Sequence, residues 1–110
     1  MPQPARTREV FEFLTQCAKD MRTVTYEEIA KEVGLAQPGI GRPLGYIRNE
    51  ICIKGKLPWL NMIVVNKGER RPSEGCFPNS HEFGEEDEPF WRGMVLQVFS
   101  YPWETVKFPD

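Results

Sequence analysis

The chain has 110 residues, 40% of them apolar and 12% aromatic, and a net charge of −2. That length fits one domain whose modest core needs no disulfide staples. No run approaches the ~20 apolar residues of a membrane-spanning helix, and the opening residues MPQPARTREV hold no apolar signal region, so a cytoplasmic location is expected.

In chain order, Thr7 reads as a helix N-cap. Val10, Phe11, Leu14, Cys17, Ala18 and Met21 then recur at three- and four-residue spacing, predicting one amphipathic helix. Arg22-Thr23-Val24 reads as a short extended link. Thr25-Tyr26-Glu27-Glu28 is a capping box that opens a second helix, with Ile29, Ala30 and Val33 as its buried stripe and Gly34 as its left-handed stop. After a turn over residues 35–39, Ile40, Leu44, Ile47 and Ile51 share one face of a third helix that ends at Gly55. Pro43 lacks an amide hydrogen, so this helix either begins near Gly41 or is bent early. Gly41 and Gly45, one turn apart, leave room for another backbone to approach.

Beyond the third helix, a strand over about residues 61–66, a turn at Lys67-Gly68 and the segment Glu69-Arg70-Arg71-Pro72 read as a wing. Asp87 caps a last helix, opened by Pro89, whose Phe90, Met94, Val95 and Val98 face inward. Residues 103–108 alternate like a short strand. The prediction is a single domain over residues 1–110, mainly α with a small β-wing: a winged helix-turn-helix.

Net charge conceals an asymmetry. Arg42, Arg48, Lys54, Lys56, Lys67, Arg70 and Arg71 face only Glu50 and Glu69 in the middle of the chain, whereas Glu82, Glu85, Glu86, Asp87 and Glu88 come after them. A duplex binder with one working face has this pattern, and so do many solvated surfaces. Cys17, Cys52 and Cys76 form no C-x-x-C pair, and their odd number argues against a disulfide framework. With one histidine, His81, the chain offers no convincing zinc site, and the Glu85–Glu88 run lacks the ligand spacing of a calcium loop. No metal, cofactor or membrane is expected. Cys76 and His81, five apart in a loop, are the one nucleophile-base pair, and nothing orients the histidine.

Three motifs, in order, carry a family resemblance. Thr25-Tyr26-Glu27-Glu28-Ile29-Ala30 resembles the T-Y-G-E-I-A motif of alkylguanine DNA alkyltransferases. Ile40-Gly41-Arg42-Pro43-Leu44-Gly45 resembles their V-G-R-A-L-G recognition helix. Pro58-Trp59-Leu60-Asn61 falls where those enzymes carry P-C-H-R with its alkyl-accepting cysteine, and the alkyltransferase-like proteins carry P-W-H-R. The resemblance spans about residues 10–68. It implies an alkyltransferase C-terminal-domain-like fold that binds duplex DNA, with Tyr26 against a phosphate beside a flipped nucleotide and the helix from Gly41 in the minor groove. It also implies a base pocket at Trp59, Leu60 and Asn61. An indole has no nucleophilic atom comparable to a thiolate, so Trp59 keeps stacking and loses transfer.

The chain departs from the family at Pro38, where an intercalating arginine would stand. It departs again at Leu60-Asn61 in place of His-Arg, and in an insertion over residues 46–56.

The expected DNA-binding set is Tyr26, Gly41, Arg42, Gly45, Arg48, Lys67, Arg70 and Arg71. Arg42 and Arg48, six apart, fall on different helical faces, with Arg42 the better contact. Two functions are compatible with these residues. One is a non-enzymatic duplex-DNA binder that senses modified or damaged bases. The other is a winged-helix regulatory module that binds a protein partner through its acidic, aromatic C-terminal part, with Phe90, Trp91 and Trp103.

Overall fold

The computed structural model describes residues 2–72 and 83–109; Cys76, His81 and Glu82 lie outside the described residues. Among the described residues the architecture is mainly helical with one small sheet. In order it comprises α1 (Thr7–Lys19), β1 (Val24–Thr25), α2 (Tyr26–Val33), α3 (Gly41–Tyr46), β2 (Val64–Val65) and α4 (Glu88–Ser100). A π-helix, Ile47–Ile53, continues α3, and short 3-10 turns stand at Gln37–Gly39, Leu60–Ile63, Glu85–Asp87 and Trp103–Thr105.

The predicted stripe of α1 is buried from Val10 to Ala18, but Met21 is 67% exposed. Arg22 N–H donates to the Cys17 carbonyl and Met21 N–H to that of Ala18, while Met21 takes φ 55°. This left-handed stop lifts Met21 off the stripe. Thr7 is the first helical residue rather than the cap. The cap position belongs to Arg6, at φ 66°, and the Thr7 hydroxyl donates instead to the Pro4 carbonyl at 2.6 Å.

The capping box of α2 forms in full. Glu28 N–H donates to Thr25 Oγ1 at 3.1 Å, and Thr25 N–H donates to Glu28 Oε1 at 2.9 Å. That donated bond, above all, holds the Glu28 carboxyl below its ordinary range. Gly34 ends the helix at φ 74°.

Leu44 N–H donates to the Ile40 carbonyl, so Pro43 sits within the first turn, where its missing amide leaves nothing unsatisfied. The third helix therefore begins at Gly41 and is not bent early. Its stripe, Ile40, Leu44, Ile47 and Ile51, is buried, and α3 packs against α1. The π-helix closes at Gly55, where an added Cβ would lie 2.7 Å from the Ile51 carbonyl oxygen.

The two strands pair in parallel, Val24 with Val64 and Thr25 with Val65. This differs from the expected wing in two respects. Residues 60–63 coil as a 3-10 turn, leaving a strand of only two residues, and its partner is the supposed link before α2. After β2 the chain folds into a closed loop: Asn66 N–H donates to the Arg71 carbonyl, Arg70 N–H to the Asn66 carbonyl, and Glu69 N–H to Asn66 Oδ1. The β2 ladder groups face β1, and the asparagine satisfies the turn in place of a second wing strand.

In α4, Val98 is buried and Met94 and Val95 are half-buried, but Phe90 is 46% exposed. Trp91 turns inward instead, its Nε1–H donating to the Met62 carbonyl at 2.8 Å. The tail forms no strand among the described residues. Trp103 begins a 3-10 turn and donates from Nε1 to the Val98 carbonyl at 2.8 Å, while Phe108 lies beside the Phe11 ring. Among the described residues no helix is long and apolar enough to cross a membrane.

Candidate nucleic-acid interface

Four of the expected DNA-binding residues come together. Gly41, Arg42, Gly45 and Arg48 line one groove of about 590 Å³, together with Asn49 and residues 2–5. Helical spacing alone puts the two arginines on different faces. The groove nevertheless takes lining from both, because it is broad enough to span more than one helical face. Arg48 Nε–H donates to Asn49 Oδ1 at 2.9 Å, which fixes its direction. The glycines meet no protein atom within 4 Å of an added Cβ, so they open this groove rather than admit a neighbouring backbone.

A second group forms at the start of α2. Parallel pairing of the strands sets the loop over residues 66–71 beside Tyr26, which is half-buried against the core. Lys67 Nζ lies 3.6 Å from Glu27 Oε1, with both side chains largely exposed. Arg70 donates to Thr23 Oγ1 at 3.1 Å. Pairs exposed like this contribute little to stability, about 0–1 kcal/mol, so both cations can exchange partners with a phosphate at small cost. Arg71 belongs elsewhere: its Nε lies 3.7 Å from Glu88 Oε2, tying the loop to α4.

The expected base pocket divides. Trp59 is half-buried; its N–H donates to Met94 Sδ at 3.2 Å, and its ring stands edge-on to Phe90 at 5.7 Å between centroids. Leu60 is fully buried, with its N–H directed at Cys52 Sγ, and Asn61 is 4% exposed. The 3-10 turn starting after Trp59 points these two into the core, so they support the indole and Trp59 alone of the three has surface to offer a ligand. Phe90 is the neighbour that sequence spacing missed, because its place on the α4 stripe assigns it inward. Its position directly after Pro89, in the first helical turn, is the only local signal for exposure.

Cys52 is fully buried, and burial pushes its thiol up to about 11. Burial also raises the Cys17 thiol. Both are held as neutral thiols, the wrong form for nucleophilic attack. From an unfolded value near 9.0, the Cys52 contribution to stability is fully present below pH 9 and is lost as pH rises toward 11, a change of about 2–3 kcal/mol. Urea titrations of wild type and Cys52→Ala should therefore converge by that amount between pH 8.5 and 11. A constant offset would mean that the folded thiol ionises freely.

Among the described residues no cluster of three or more His, Cys, Asp or Glu is placed to hold a metal ion. No protein-family model matches the chain, and neither a curated protein nor a solved structure is significantly similar to it.

Proposed function

We propose that this chain is a non-enzymatic protein that binds duplex DNA as a winged helix-turn-helix, related to the alkyltransferase-like proteins, and senses modified or damaged bases without transferring an alkyl group. The observation that carries the reading is the groove beside α3, which gathers Arg42 and Arg48 over two open glycines with no carboxylate among its described lining residues. Phosphate neutralisation by such cations supplies most non-specific DNA affinity. The loop over residues 66–71 takes the part of the wing, offering Lys67 and Arg70 to the backbone beside Tyr26, while Arg71 braces it. Trp59, flanked by Phe90, provides an aromatic face for a base. The lack of transfer is explained by a carbon-bonded indole in the acceptor position and by neutral, buried thiols at Cys17 and Cys52.

Fluorescence anisotropy with plain and alkylguanine-containing duplexes should give binding that weakens steeply with salt and is tighter for the modified duplex. Equal affinity for the two would remove the damage-sensing part. Intact-mass measurement after incubation with the alkylated duplex should show no adduct; a stoichiometric adduct on any cysteine would overturn the non-enzymatic reading.

Phe90 and Leu96, 46% and 66% exposed on α4, favour the second reading, a regulatory module with a protein partner at the acidic end of that helix. Trp91 and Trp103, expected on the same surface, have their indole N–H groups engaged internally. Absent or salt-insensitive DNA binding by a folded chain would select this alternative.

A further inference from the structure

The groove beside α3 has a second wall that owes nothing to the helix-turn-helix. Arg6, at φ 66°, turns the chain sharply before α1, so that residues 2–5 run back along the face carrying Gly41 and Gly45. Two attachments tie this segment down. The Pro4 carbonyl accepts from both the Thr7 hydroxyl and the Thr7 N–H, and Gln3 Nε2 donates to the Pro109 carbonyl at 3.4 Å. Pro2 and Pro4 restrict its backbone further. The result is a trough of about 590 Å³ lined both by the two arginine residues and by the neutral segment 2–5, with no carboxylate among the described lining residues.

We infer that residues 2–5 form the outer wall of a channel that holds one phosphodiester strand of the bound duplex against Arg42 and Arg48. The inference rests on the DNA-binding reading and extends it to a segment outside α2 and α3. Charge complementarity selects the occupant. A polyanionic strand presents acceptors to both arginines at once, and the missing side chains of Gly41 and Gly45 admit its bulk to the helix backbone. A neutral or cationic peptide would leave the guanidinium groups facing a partner that repels or ignores them.

The wall is open to a charge test that leaves the fold alone, because Ala5 is exposed and lines the groove. In 0.1 M salt, one added or opposed phosphate contact changes duplex affinity by roughly five- to tenfold. Ala5→Glu should weaken binding by about that factor and Ala5→Lys should strengthen it. Gln97→Glu and Gln97→Lys, on the exposed face of α4, should stay within about twofold of wild type. Arg42→Glu is measured alongside. If Arg42→Glu weakens binding while both Ala5 variants match the Gln97 controls, the channel is wrong and the DNA-binding reading stands. If the wild-type chain binds no duplex at low salt, the reading fails and the channel falls with it.

Discussion

Arg42→Glu is expected to weaken duplex binding on the order of a hundredfold in 0.1 M salt. Each phosphate contact contributes about 0.9 to the slope of log affinity against log salt, so one lost unit of charge costs about eightfold at that concentration and a reversal counts twice. The salt slope should fall in step, by about one to two. The residue suits the test because it is exposed on the second position of α3 and lines the groove. Far-ultraviolet circular dichroism should be unchanged. Arg71→Glu offers the contrast. That side chain lies beside Glu88 of α4 and not in the groove, so its reversal should lower the salt slope by less than Arg42→Glu does. If Arg42→Glu leaves both affinity and slope at wild-type values, α3 is not the docking element.

The second large effect is on stability. Ile47 is fully buried at the junction between α3 and the π-helix. Truncating a core isoleucine to alanine removes its transfer free energy and leaves a cavity, and costs about 2–5 kcal/mol. A loss near 3 kcal/mol is expected for Ile47→Ala, which lowers Tm by roughly 12 °C at about 4 °C per kcal/mol for a domain of this size. Ile53→Ala, at the other end of the same helix and 39% exposed, should cost less than about 1 kcal/mol. Chemical denaturation of the pair separates the two environments. Similar losses for both would mean that the buried stripe does not anchor α3.

Sequence patterning reads the helices well because burial and capping act locally. The stripes of α1 and α2, the Thr25–Glu28 box and the Gly34 stop all rest on residues within one or two turns of each other. The sheet is different. Val24 reads as a link and residues 61–66 as a strand toward a wing, because the parallel partner lies far along the chain and leaves no local mark. The π-helix is similarly silent, since Ile47 and Ile51 suit an ordinary helix equally well. At the site, charge type and order identify the cations, but only tertiary placement separates Arg42 and Arg48, which share a groove, from Arg71, which braces α4. Exposure of Phe90 and burial of Leu60 and Asn61 depend on how the segment before β2 coils against α4, a packing outcome that no spacing rule encodes.

The union of β1 with β2 has a kinetic corollary. Val24 meets Val64 forty positions later in the chain, so the union closes a long loop and is expected to follow compaction of the intervening helices. Residue Thr25 ends that short ladder and also caps α2. The orientation of α2 and the seating of Lys67 beside it are therefore expected to be fixed in one late, cooperative step of folding rather than separately.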